Sequence, residues 1–251
     1  VVWRGRLLYR GAAARPNAGL ALPLALVALG IATAFPASEV IIGGKDPGAY
    51  INEGIAIAKG GGLLIREPFV ASLPPDAWNL FFPAYGDRGY YSLRFMGFFL
   101  VDPQAGTVVA QFPHLYPAWI AIGYGLAGIA GALRAVGGWA VLGLLAVYFV
   151  GARLIGRVPA FCASALLALC VVEVWFSRYP NSEMGLQALL FAGLLAFSRS
   201  HVEDDRFFAP VAGAVLGLLL FMRFDAVLAY AGIGLATILL LCRGRRPRVW
   251  F

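Results

Sequence analysis

Apolar residues in this chain come in long runs, with the polar positions gathered into short islands between them. The first run extends from Ala18 to Ala37, close to the ~20 residues that cross ~30 Å of hydrocarbon as a helix. Further runs occupy Tyr116 to Leu133, Trp139 to Ala152, Ala160 to Phe176, Met184 to Phe197, Pro210 to Met222 and Ala226 to Cys242. Several of these are short for a full span. Between the first run and Pro113 the pattern changes. Ala49 to Lys59 reads as a short helix stopped by Gly60, Gly61 and Gly62, a cluster suited to a left-handed C-cap. Phe98 to Phe112 alternates in FFLVD and TVVAQF around Pro103-Gln104-Ala105-Gly106, which predicts a β-hairpin.

The pattern therefore divides the chain into a basic cytoplasmic N-terminus at 1–17, a first transmembrane helix at 18–37 and an external loop at 38–113. The remaining membrane helices fill 114–242, and a basic cytoplasmic tail at 243–251 is read as a candidate truncation point. The chain starts at Val1 without a methionine, as a fragment does. The loop carries seven of the thirteen acidic residues and is expected to be a small folded α/β unit.

Composition sharpens this picture. With 61% hydrophobic and 13% charged residues, and a mean hydropathy of +0.78, the chain exceeds what a soluble domain of this size needs for its core. The expected class is an all-α polytopic membrane protein. The net charge of +7 does not imply nucleic acid, because the arginines sit in short clusters between apolar runs and not along one face. They read as topology signals instead, and Arg4, Arg6, Arg10 and Arg15 before the first run place the N-terminus in the cytoplasm. A secretory signal peptide is the competing reading of the first run. Cys162, Cys170 and Cys242 lie in apolar runs without C-x-x-C spacing, so neither a disulfide framework nor a metal site is indicated. They are expected as small core residues.

Counting arginines by side decides between topologies. If every run crosses, Arg153, Arg157, Arg199, Arg206 and the four arginines from Arg243 to Arg248 fall outside, against the positive-inside bias. If Tyr116 to Ala152 makes one net crossing, with a piece re-entrant or partly inserted, all of these are cytoplasmic. That choice puts Arg178, Glu183, Arg223 and Asp225 on the external side with Asp46.

Two polar islands at the ends of apolar runs are the candidate chemistry: GGKDPGAY at 43–50 and SRYPNSE at 177–183. Ionisable groups at such places are costly and are functional-site candidates by default. Structural alternatives stand beside each. Asp46 also suits a helix N-cap, Arg223 with Asp225 also suits an interfacial pair, and His114 is either a site residue or an interfacial aromatic neighbour.

In their order along the chain, KDPGAYINEGIAIAKGG, QFPHLYPAWIAI, SRYPNSEMGLQALLF and GLLLFMRFDAVL resemble the GT-C membrane glycosyltransferases. The nearest kinds are the protein O-mannosyltransferase-like and aminoarabinose-transferase-like enzymes. The resemblance implies a GT-C-like helical bundle moving a sugar, with inversion, from a polyprenyl-phosphate donor to a hydroxyl of a protein, lipid or glycan. Transfer would take place on the external or lumenal face of a bacterial-type plasma membrane, in the service of the cell envelope. Carried over residue by residue, the family's loop aspartate falls on Asp46 and its following tyrosine on Tyr50. Its arginine and acidic residue fall on Arg178 and Glu183, and its aromatic-proline motif on Pro113, His114, Leu115, Tyr116 and Pro117. Two departures stand out: Pro47 occupies the place of a second acidic residue found in many relatives, and the family's longer carboxy-terminal part is not present.

The residue types suit such chemistry on their own terms. A carboxylate such as Asp46 can accept the proton of the incoming hydroxyl. The guanidinium of Arg178 matches phosphate geometry, with Lys45, Arg94 or Arg223 assisting. Glu183 can orient Arg178 or share a divalent cation, Mg²⁺ or Mn²⁺, with Asp46. Glu173 and Asn181 flank the second island as weaker candidates. No Walker or Rossmann glycine loop is present to cradle a soluble nucleotide sugar. A glycosidase would not need so much membrane, and the rival classes are a transporter, whose polar residues would continue through the bundle, and a non-catalytic scaffold subunit.

Overall fold

The computed structural model describes residues 19–41, 46–84, 94–95, 97–203 and 205–242. Its class is all-α, with one small sheet, as the hydrophobic runs predict. The elements in order are α1 (Ala21–Ala34), α2 (Asp46–Gly60), β1 (Leu64–Arg66), α3 (Pro68–Ala71), α4 (Trp78–Phe81), β2 (Arg94–Phe95), β3 (Phe98–Asp102) and β4 (Thr107–Ala110). They are followed by α5 (Leu115–Ile155), α6 (Arg157–Leu169), α7 (Val171–Arg178), α8 (Glu183–Val202), α9 (Phe208–Gly217), α10 (Leu219–Met222) and α11 (Val227–Cys242).

The loop folds much as its pattern predicts. Helix α2 begins at Asp46, three residues ahead of the expected start, and closes where the Gly61 N–H bonds the Ile57 carbonyl. The predicted hairpin is β3–β4, the centre of an antiparallel sheet in the order β1-β4-β3-β2. Val70, Phe82, Leu100 and Val108 form a small core of their own beneath it. This unit is anchored to the bundle through α2, whose buried Tyr50 and Ile51 join Tyr116, Ile120, Met184 and Met222 in the main hydrophobic cluster.

Helix α5 merges two expected runs and bends sharply inside the first of them. Ala127 and Gly128 are non-helical, Gly128 at φ 60°, a conformation that glycine adopts without steric cost. The bend is a reversal. The Trp119 and Trp139 rings meet edge to face at 5.3 Å, although a straight helix would hold them roughly 30 Å apart. A Cβ on Gly123 would lie 2.5 Å from the Gly131 carbonyl oxygen, so the two arms touch backbone to backbone. The arm from Leu115 thus doubles back along the arm that ends at Ile155, which leaves one net traverse of the bundle for this region.

Among the described residues, α5 alone is long and apolar enough to cross a membrane by itself. Helices α6 and α7 pass that test only together, bent by 65° at their break. The first expected span is shorter than predicted. Helix α1 has 14 residues, roughly 21 Å at 1.5 Å per residue, and Phe208–Met222 and Phe224–Leu239 are likewise short apolar helices. The cysteines depart from expectation as well: Cys162, Cys170 and Cys242 are exposed and not in the core, because Cys162 and Cys242 lie on uncovered faces of α6 and α11 and Cys170 sits at the break between α6 and α7.

Charges collect at the two ends of the bundle. At one end Arg153 pairs with Glu203 at 2.8 Å, Arg199 with Glu203 and Asp205 at 3.3 and 3.4 Å, and Arg157 bonds the Gly19 carbonyl beside the start of α1. At the other end lie Glu183, Arg223 and Asp225. The length of α8 from Glu183 to Arg199, roughly 24 Å, separates them. Between these ends the helices expose Leu142, Leu166, Val171, Trp175, Phe221 and Leu228 among many large apolar side chains.

Close packing of α2 on α5 depends on Gly54, where an added Cβ would overlap Ile120 and come within 2.9 Å of the Pro117 carbonyl oxygen. Gly54→Ala is expected to lower stability by about 1–3 kcal/mol through overpacking. Gly60→Ala, with nothing within 4 Å, is expected to change little. Unfolding midpoints of the two variants in detergent check this, and equal midpoints would contradict the packing.

Candidate functional site

The two islands meet in space. Tyr50, the last residue of the first, and Ser182, near the end of the second, share a hydrogen bond of 3.1 Å between hydroxyls across 132 residues of chain. Helix α2 presents Tyr50 one turn after Asp46, and Ser182 is the residue before the first turn of α8, so the contact docks the loop unit onto that helix start. Glu183 follows at once, and its Oε1 accepts a bond from Arg223 Nη1 at 2.7 Å. Arg223 Nη1 also reaches Ser182 Oγ at 3.5 Å, while its Nε and Nη2 donate to Asp225 at 3.0 Å each. Arg223 reaches this point because its extended backbone breaks the helix between α10 and the turn at Phe224.

Tyr50 is enclosed by aromatic rings. Phe112 stacks on it at 4.7 Å and Tyr116 meets it edge-on at 5.3 Å. Burial pushes the Tyr50 hydroxyl up to about 12, against the lowering pull of the Ser182 bond and of Arg223, while the negative charges of Glu183 and Asp46 add to the rise. Tyr50 is therefore a neutral phenol at ordinary pH, able to donate or accept a hydrogen bond and unsuited to act as a base. Asp46, exposed at the start of α2, Glu183 and Arg223 all act electrostatically on this one hydroxyl.

Among the described residues, three buried polar atoms on this side of the bundle have no hydrogen-bond partner: the Tyr116 hydroxyl, Asn181 Oδ1 and Glu183 Oε2. Buried polar atoms are ordinarily paired, and each exception calls for an explanation.

Among the described residues, the Arg178 side chain bonds to the end of α1 and not to this cluster. Its Nε donates to the Thr33 carbonyl at 2.7 Å and its Nη2 to the Phe35 carbonyl at 3.5 Å. The end of α1 thus takes up much of its donor fork, and the Ser38 N–H bonds back to the Arg178 carbonyl. Lys45 lies outside the described residues. Arg94 is described only through its strand, where it pairs with Phe99.

His114 has a partner the sequence reading did not assign. Its Nδ1 lies 2.5 Å from Oε1 of Glu53, a fully buried residue of α2 whose Oε2 has no partner among the described residues. Burial raises the Glu53 carboxyl above its ordinary value, with the His114 bond pulling the other way. The Glu53 bond raises the His114 imidazole, against its own partial burial. Spacing held the missed signal: Asp46, Tyr50 and Glu53 stand at i, i+4 and i+7, one face of a helix. Glu173, the weaker candidate, bonds Gln187 at 3.0 Å one turn into α8.

Tyr50→Phe keeps the ring contacts and removes the bond to Ser182. It is expected to cost about 1 kcal/mol, read as a small drop in the unfolding midpoint in detergent. An unchanged midpoint would show that the bond contributes nothing to docking.

Comparison with protein-family models, with curated proteins and with solved structures finds no match for this chain.

Proposed function

We propose that this chain is a polytopic integral membrane protein that transfers a sugar from a polyprenyl-phosphate donor to a hydroxyl acceptor on the external face, as its resemblance to the GT-C glycosyltransferases implies. The observation that carries the reading is the Tyr50–Ser182 bond, which joins the two islands beside Glu183 and Arg223. Membrane insertion is supported by the two charged ends of the bundle and by the exposed apolar side chains between them, a surface too large to leave in water. The reversal in α5 supports a single net crossing there, which puts Arg153, Arg157 and Arg199 on the cytoplasmic side as the positive-inside bias requires.

In this reading the acceptor hydroxyl oxygen attacks the anomeric carbon and its proton passes to Asp46. The bond from that carbon to the phosphate oxygen breaks, and its electron pair leaves with the phosphate. One such displacement inverts the anomeric centre. Arg223 faces the departing phosphate. Glu183 holds the guanidinium from inside the bundle, and the phosphate takes the place of Asp225, which is half exposed. Arg178 acts from a distance by fixing the end of α1.

A resident Mg²⁺ or Mn²⁺ fits these residues poorly. No group of three or more histidine, cysteine or acidic side chains gathers among the described residues. Glu183 Oε1 is already held by Arg223, which leaves the proposed carboxylate pair short of one oxygen for a shared cation. The positive charge this reading assigns is the Arg223 guanidinium.

The test is transfer of radiolabelled sugar from a panel of polyprenyl-phosphate donors by the full-length protein in membranes. Transfer that depends on both donor and protein supports the reading. Absence of transfer from every donor favours a scaffold subunit, and flux of the sugar lipid without transfer favours a transporter; either result overturns it.

A further inference from the structure

A groove of about 540 Å³ opens between the segment that follows α1 and the second arm of α5, lined by Phe35, Glu39, Ala130, Leu133 and Arg134 among others. It shares no residue with the Tyr50–Arg223 cluster. Its size falls within the range of small-ligand sites. Phe35 holds one wall in place by packing against the Gly137 backbone, one turn along α5 from Arg134, where a Cβ would lie 2.5 Å from its ring.

The groove carries one cation and one anion that are not paired with each other. Both Arg134 and Glu39 are exposed, and among the described residues neither side chain has a hydrogen bond or ion pair. Elsewhere in the chain arginines near a carboxylate have closed onto it, as Arg153, Arg199 and Arg223 do. Separated opposite charges over an apolar floor of Phe35, Ala130 and Leu133 match a ligand that is itself a phosphate with a nearby ammonium.

We propose that this groove binds the headgroup of an aminophospholipid, with the phosphate on Arg134, the ammonium on Glu39 and the first part of an acyl chain on the apolar floor. A lipid fits better than a free phosphoamine because the apolar surface continues beyond the groove: Ile31, one turn back on α1 from Phe35, is exposed. A polyprenyl phosphate bearing a neutral sugar, or phosphatidylglycerol, satisfies Arg134 but brings only hydroxyls to Glu39 and leaves that carboxylate without a cation. A guanidinium suits a phosphate, and a primary ammonium supplies three donors to a carboxylate. The proposal rests on the membrane placement above and not on glycosyl transfer.

The test uses the full-length protein in nanodiscs of equal phosphatidylethanolamine and phosphatidylglycerol, with retained lipid counted by native mass spectrometry after release. Wild type is expected to retain phosphatidylethanolamine in preference to phosphatidylglycerol. Glu39→Gln is expected to lower that preference roughly tenfold, the scale of one charge-assisted hydrogen bond. Arg134→Ala is expected to lose both lipids from the site. Equal retention by wild type, or an undiminished preference in Glu39→Gln, overturns the proposal. So does full displacement of the lipid by soluble O-phosphoethanolamine, which would assign the site to a free phosphoamine. Both side chains are exposed and unpaired, so neither variant disturbs the core. Loss of sugar transfer leaves this result standing, whereas failure of wild type to enter nanodiscs removes the membrane placement itself.

Discussion

Asp46→Asn is expected to reduce sugar transfer by roughly 10²–10⁴-fold, the usual contribution of a positioned general base, while leaving the protein folded. The amide keeps the size and the capping capacity of the carboxylate but cannot take the acceptor's proton. Asp46 is exposed at the start of α2, so its replacement removes no buried contact. The loss should fall on kcat, with donor binding little changed, since the proton moves only in the transition state. Arg223→Met should behave differently. It releases Glu183 and Asp225 from their cation and is expected to weaken donor binding as well as turnover. Undiminished transfer in Asp46→Asn, at matched expression, removes the assigned base and leaves the exposed aspartate as a helix-start residue.

His114→Ala is the variant with the largest expected effect on stability. It strips the buried Glu53 carboxyl of its partner, and breaking a buried pair on one side costs about 3–5 kcal/mol. Because His114 is over a third exposed, water reaches the pair, and a loss of about 2–3 kcal/mol is the expected value. The double variant Glu53→Gln/His114→Ala should recover much of this, because a neutral amide tolerates burial better than an unpaired carboxylate. No recovery would show that the His114 ring itself, and not the charge, holds the joint between α2 and α5.

The same pair sets a pH dependence. Both groups are raised above their ordinary values of 4.5 and 6.5, so the folded state binds more protons than the unfolded chain and stability falls as pH rises. The Glu53 part is lost from about pH 4.5 upward. The His114 contribution is fully present below about 6.5 and is lost as pH passes through its higher folded value. Detergent unfolding midpoints across this range should decline in wild type and flatten in the double variant. A midpoint that rises with pH in wild type contradicts the coupling.

The sequence alone determined the helical class, the α2 helix, the β3–β4 hairpin and the two polar islands, because each follows from local rules: run length, glycine stops and strand alternation over a few residues. It also placed Asp46, Tyr50, Glu183 and Arg223 on the list of candidate residues by residue type. What local rules could not supply was which of these would meet. Arg178 and Arg223 both follow apolar helices and look alike in sequence. Only packing sent the first to the carbonyls at the end of α1 and the second to Glu183 and Ser182. Glu53 reads as an ordinary polar position of α2 until α5 covers it and brings His114 to its carboxyl. The arginine count called for one net crossing between Tyr116 and Ala152, but not for where the chain turns back: Ala127–Gly128 lies inside an unbroken apolar run, and apolar length says nothing of direction. Contacts across 132 residues, such as Tyr50 with Ser182, depend on how whole helices pack, and that was decided only by the tertiary structure.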